Sequence, residues 1–206
     1  MAGAQKIIGF LNQQQVTENN IVVDKQYLSS LISLPNNPSD TNAVILALFA
    51  AMDVEDEQTE LPALPPEIHQ KIEYNNLVSY REIVESSYCE NAFFIDSAYE
   101  ALDFNTPGRK RLFLRFINGI YVRVVSDYVS KDTSGMTRME VIRLYADSIF
   151  SEVINSLMLR ISSNTSSVSH LSAEIIMVKV IDLVSHAFVD CKVLENPNKK
   201  SNDLTN

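Results

Sequence analysis

Glycine is scarce in this 206-residue chain: Gly3, Gly9, Gly108, Gly119 and Gly135 are the only five. Phosphate-cradling loops and tight β-meanders draw on glycine's access to positive φ, so the scarcity argues for helices. There is no Walker loop, G-x-G-x-x-G, H-E-x-x-H or G-x-S-x-G elbow, which leaves nucleotide, zinc-peptidase and serine-hydrolase chemistry without a sequence warrant. Only two cysteines occur, Cys89 and Cys191, far apart and each in an apolar, helix-like stretch. They read as buried free thiols in a reducing, cytoplasmic compartment. The opening "MAGAQKIIGFLNQQQ" lacks a charged region followed by a long apolar run, so no secretory signal is expected. The longest apolar run, "AVILALFAAM" at 43–52, falls well short of the roughly 20 residues that cross a bilayer. No membrane insertion is expected.

What is present suits a folded, acidic protein. Apolar residues make up 46% and charged residues 21% of the chain, enough for one good-sized core and too hydrophobic for a disordered chain. The net charge of −9 is unevenly spread: residues 1–104 carry −12 and residues 105–206 carry +3. Either the two parts attract each other within the fold, or one of them faces a charged partner.

Periodicity predicts a mainly α fold, a helical bundle with three long C-terminal helices. An amphipathic segment with Ile7, Ile8, Phe10 and Leu11 comes first, then a short strand at 21–23 and a helix from Asp24 to about Leu34. "TNAVILALFAAM" is apolar nearly all round and belongs in the interior. The stretch 53–66, five carboxylates followed by three prolines, predicts an acidic, Pro-rich loop, because proline removes amide donors and disfavours helix before it. Pro66 opens a helix to about Ser86, and "CENAFFIDSAYEALDF" makes another. Met139, Ile142, Ala146, Ile149, Val153 and Leu157 recur at spacings of three and four, which predicts a helix from about Thr137 to Ile161. After a serine-rich connector, with Ser169 as cap, "HLSAEIIMVKVIDLVSHAFVDCKVL" predicts a last helix at the centre of the bundle. "ENPNKKSNDLTN" reads as a tail, with the single domain spanning 1–195 and disorder over 196–206.

The stretch "NTPGRKRLFLRFINGIYVRVV" at 105–125 allows two readings. Asn118-Gly119 between β-branched and aromatic residues is a hairpin signal for 111–125. A helix from Pro107, with Thr106 at its start, sorts the residues better: Phe113, Phe116, Ile117, Ile120, Val124 and Tyr128 fall on one side, Arg111, Arg115, Asn118 and Ser126 away from it. That helix would begin with Arg109, Lys110, Arg111 and Arg115, where cations oppose the helix dipole by roughly 0.3–1 kcal/mol each. Three roles compete for them: pinning the acidic half, for instance Asp53–Glu60; binding phosphate or nucleic acid at the helix N-terminus; or docking an acidic segment of a partner. The net charge argues against nucleic acid, which favours a broad basic face. These four residues are the candidate partner-binding set.

Catalytic candidates are thin. His186 has Asp182 and Asp190 four residues to either side, a spacing that would orient an imidazole or supply part of a metal site. Lys179 shares that stripe and opposes a metal, so an ion-pair ladder is the expected role. His170 and Glu174 form a separate pair pointing elsewhere, and His69 stands isolated beside prolines. Cys191 and His186 are merely neighbours on one helix, and Arg160 and His170 are too far apart for the arginine–histidine ribonuclease pairing of some helical bacterial proteins. No catalytic residue, cofactor or metal is assigned.

An acidic helical domain with more apolar helix surface than a simple bundle hides would offer a groove to another protein's amphipathic segment, as an adaptor or chaperone within a hetero-complex. In size, acidity and lack of motifs the chain resembles, at the level of class alone, the small adaptor and chaperone subunits of bacterial secretion systems such as the type IV coupling complex. The resemblance implies a non-catalytic, cytoplasmic, protein-binding role and transfers no residue. The rival readings are a phage or viral structural protein, an acidic nucleic-acid mimic acting as an inhibitor, and an enzyme with carboxylates around a divalent cation.

Overall fold

Seven α-helices and no strand make up the secondary structure of residues 40–52, 64–162, 171–190 and 192–197, the part of the chain described by the computed structural model. They are α1 (Asp40–Ala51), α2 (Pro66–Asn75), α3 (Arg81–Asn105), α4 (Arg109–Lys131), α5 (Arg138–Leu144), α6 (Ala146–Ser162) and α7 (Ala173–Val189). None of them is long and apolar enough to cross a membrane. The segments read as an N-terminal helix, a strand at 21–23 and a helix from Asp24 lie outside the described residues, as do 53–63 of the acidic loop and 198–206 of the tail.

The bundle forms around α7, which packs along α3 and against α6, while α1 lies on α3 and α4 on α6. From Val180 to Phe188 only Ile181 is even partly exposed, as expected for a helix apolar on most of its circumference. Phe188 meets Phe150 of α6 edge-on at 6.3 Å, and Phe150 meets Tyr80 at 4.9 Å, so aromatic rings join the start of α3 to α6 and α7. Each fully buried phenylalanine contributes about 1.5–3 kcal/mol through the area it removes from water. The predicted stripe of α5 and α6 is buried at Ile142, Ala146, Ile149, Val153 and Leu157, and α1 buries Val44, Ile45, Ala47, Leu48 and Phe49.

Residues 111–125 lie within α4, so the hairpin does not form. Helix sorting puts Phe113, Leu114, Ile117, Ile120, Tyr121, Val124 and Val125 on the buried face. Thr106 closes α3 rather than opening α4. The helix is capped instead by Gly108 at φ 91°, a left-handed conformation that a residue with a Cβ adopts only at a cost. The glycine has no side chain to hold the first amides, and Asp103 does so in its place: its Oδ1 accepts from Lys110 N at 3.0 Å.

Two helices expected to be continuous are broken, and each break supplies what the other lacks. At the end of α2, Asn76 turns left-handed (φ 58°), and Leu77 N–H reaches back to the Ile72 carbonyl at 3.1 Å, a Schellman ending. The freed amides of Val78 and Ser79 then donate to Asp147 Oδ1 at 3.1 and 2.9 Å. At the other break, between α5 and α6, Asn76 Nδ2 donates to the Arg143 carbonyl at 3.2 Å. The remaining start of α5 matches expectation, with Thr137 and Glu140 forming a reciprocal capping box.

The last helix is shorter than its periodicity suggested. It starts after Ser172, whose Oγ accepts from Ile175 N, and ends at Val189 rather than Leu194. The chain then folds back under the bundle with Val193 and Leu194 buried. Lys71, itself buried, donates from Nζ to the carbonyls of Phe188 and Val193, placing a cation on the negative end of α7. Asn75 grips Glu195 like a strand partner: its Nδ2 donates to Glu195 O at 2.8 Å and its Oδ1 accepts from Glu195 N at 2.9 Å. Glu195 Oε1 accepts from Tyr121 OH at 3.0 Å and from Arg138 at 3.2 Å.

Asn75→Ala leaves both backbone groups of Glu195 unpaired, and a buried polar group without its partner costs about 1–3 kcal/mol. The expected loss is about 2 kcal/mol, read by urea unfolding; a change below about 0.5 kcal/mol would show that this grip does not hold the segment.

Candidate functional site

The four predicted basic residues differ in their surroundings, although Lys110, Arg111 and Arg115 line one cleft. Lys110 points inward to the seam where α3, α4 and the end of α7 meet: its Nζ is 2.9 Å from Asp96 Oδ1 and 3.4 Å from Asp190 Oδ2. It also stands 5.1 Å from the centre of the Tyr99 ring. Burial opposes its charge, but the hydrogen bond to Asp96 and the field of Asp190 prevail and raise Lys110 above the usual lysine range. Arg111 and Arg115 are exposed on α4. Arg109 is half-buried at its first turn.

His186 joins the same seam. It is 3% exposed, and its Nε2 is 3.3 Å from Asp96 Oδ1. The carboxylate that orients the imidazole therefore comes from α3, not from Asp182 or Asp190 on its own helix. Burial works against ionised Asp96, yet hydrogen bonds from His186 and Lys110 outweigh it and lower its pKa from 3.8 to about 2. Tyr99 packs its ring 5.6 Å from that of His186. Burial pushes the Tyr99 hydroxyl well above its ordinary 10. The Tyr99 hydroxyl and His186 Nδ1 are both buried with no hydrogen-bond partner among the described residues.

One turn or more before His186 the polar stripe of α7 continues inward. Lys179 is buried and donates to the Phe49 carbonyl at 2.8 Å, in the last turn of α1, the same cation-on-helix-end arrangement that Lys71 makes with α7. Burial raises the Asp182 carboxyl above the usual carboxylate range. Of the predicted stripe, His186 and Asp190 pair with Asp96 and Lys110 of other helices, whereas Lys179 bonds a backbone carbonyl. His69 is not isolated, its Nδ1 lying 3.0 Å from Glu85 Oε1. Cys89 is free but only half-buried, while Cys191 and His170 lie outside the described residues. Among the described residues no three His, Cys, Asp or Glu side chains are grouped to hold a metal.

Two shallow clefts open on the surface. The first, of about 460 Å³, runs along α4 past Lys110, Arg111, Leu114, Arg115 and Asn118, with Asp103 and Lys192 also lining it. Asn118 Nδ2 donates to the Lys192 carbonyl at 2.9 Å and so fixes the returning chain to α4. The second, of about 410 Å³, lies beside the start of α7 and is lined by Met52, Asn91, Glu174, Ile175, Val178, Lys179 and Asp182. In contrast to the rest of α7, this end leaves Ile175 45%, Met177 51% and Val178 59% exposed.

Asp96, Asp103, Asn118 and Lys192 were missed as site residues by sequence reasoning. Asp103 carries a signal, a carboxylate five residues before a Gly-started helix rich in cations; the others are joined by tertiary packing alone. Compared with known proteins, the chain matches no family model, no curated protein and no solved structure.

The lowered pKa of Asp96 gives a pH dependence of defined sign. The folded state favours the ionised carboxylate, so its contribution is complete above the unfolded value near 3.8 and fades as pH falls toward about 2. Half-exposure of the carboxylate screens the pair, which leaves about 1 kcal/mol at neutral pH. Asp96→Asn is expected to lower stability by that amount at pH 7 and to flatten the acid limb below pH about 4 in urea titrations. An unchanged acid limb would contradict the assignment.

Proposed function

We propose that the protein is a non-catalytic binding module, an adaptor or chaperone that works in the cytoplasm within a hetero-complex and seats an apolar segment of a partner protein. The observation that carries this reading is the exposed apolar end of α7. A helix buried along its later turns would normally be covered along its first turns too, yet Ile175 and Val178, three residues apart and on one face, line an open cleft with Met52. Met177 is exposed on the adjoining face of the same turn.

The rim defines the occupant. Glu174 is exposed, and the backbone amide and Ser172 at the helix start keep its carboxylate below the usual range. Asp182 adds a second carboxylate to the lining of the same cleft. An amphipathic helix with an apolar stripe and basic flanks complements such a rim. A role like that of the small adaptor subunits of bacterial secretion systems fits this reading, on the class-level resemblance in size, acidity and lack of motifs.

Affinity capture from the native host tests it. The captured partner is expected to persist at about 1 M salt, where screening confines charge interactions to about 3 Å, and to be lost from the Ile175→Asp/Val178→Asp variant. Both positions are exposed, so the variant should melt within a few degrees of the parent. A partner retained by that variant, or released by salt alone, would overturn the assignment of the α7 cleft.

A further inference from the structure

We propose that the cleft along α4 is a second docking site, built for a short, extended acidic segment of a partner protein. It rests on the reading of the chain as a protein-binding module but uses other residues. Of the cations in the cleft, Lys110 is already engaged by Asp96 and Asp190. The side chains of Arg111, Arg115 and Lys192 have no carboxylate partner among the described residues, although the chain as a whole carries −9. Cations gathered on one cleft with no carboxylate partner among the described residues offer negative charge a place to dock.

The spacing selects the form of the ligand. Arg111 and Arg115 stand four residues apart on α4, a rise of about 6 Å. Alternate side chains of an extended peptide repeat at about 6.6 Å, so carboxylates at every second residue can meet both guanidinium groups in register, each capable of a two-pronged contact. Lys192 faces the same cleft from the chain that returns after α7, and Asn118 fixes its backbone there. Buried Leu114 lies between the charged positions and gives the cleft an apolar base. A lone phosphate would use one end of this row. A nucleic acid, longer than the cleft, would extend beyond it into the field of a strongly acidic protein.

The test uses the full chain and fluorescence anisotropy at low salt with a fluorescein-labelled peptide carrying glutamate at alternate positions. Its scrambled form with adjacent glutamates, and a labelled oligothymidylate of equal charge, serve as comparison probes, with pyrophosphate as competitor. Binding of the alternating peptide is expected to exceed that of the other two probes, to fall as salt rises, and to weaken about tenfold in Arg111→Glu/Arg115→Glu and severalfold in Lys192→Glu. Arg111→Gln/Arg115→Gln, which carries no new repulsion, should weaken it by a smaller factor. Circular dichroism melts confirm that each variant is folded. The Ile175→Asp/Val178→Asp variant should bind the peptide like the parent, which separates this site from the α7 cleft. Absence of peptide binding, equal binding by the charge-reversed variants, preference for the oligothymidylate, or displacement by pyrophosphate at lower concentration than by unlabelled peptide would each overturn the proposal.

Discussion

Placing α7 at the centre of the bundle imposes one demand that shapes its surroundings: its buried cation and imidazole need partners inside the protein, although Ser185 Oγ and His186 Nδ1 find none among the described residues. An unpaired charge in a core is costly enough to unfold a marginal protein. Lys179 meets the demand on the last turn of α1, and His186 meets it on Asp96 of α3. Asp96 in turn engages Lys110 of α4. Lys71 repeats the device at the other end of α7, standing 4.2 Å above the ring of the residue whose carbonyl it holds. The long helices are therefore registered by a few directional contacts, and the apolar packing fills in around them.

That arrangement also explains the uneven fate of the basic cluster. Lys110 is drawn into the seam, and its backbone amide is capped by Asp103. Its neighbours along α4, Arg111 and Arg115, are turned by the helical repeat toward the surface. A charge pattern that is unfavourable for an isolated helix is thus divided between one residue stabilised inside the protein and others left available at its surface. The apolar end of α7 is the counterpart on the other cleft.

Most of the architecture was legible because it rests on periodicity. The stripe from Ile142 to Leu157 and the all-round apolar character of α1 and α7 need no tertiary information. The helical sorting of 111–125 also outweighed a local Asn-Gly signal, because a hairpin would have put arginines and large apolar groups on the same face. Boundaries were less legible. Asn76 ends α2 through a left-handed turn whose free amides are taken by Asp147, far along the chain, and no local pattern announces such a partner. The buried role of Lys71 and Asn75 had a visible sign, since both lie at helical spacing with Ile68 and Ile72 on the buried face of α2. Lys192 and Asn118 gave none, because only the return of the chain after α7 brings them together.

The paired helix breaks carry a kinetic consequence. Asn76 completes the end of α5 and Asp147 completes the start of α3, across about 70 residues of chain. Neither ending meets its protein partner until the two regions have come together, and closing so long a loop comes at an entropic penalty before any contact rewards it. Their long separation in sequence leads us to expect these polar clasps late in assembly. Interactions that form after the rate-limiting barrier act chiefly on the lifetime of the native state, so the clasps serve as a lock on unfolding more than as a guide to folding.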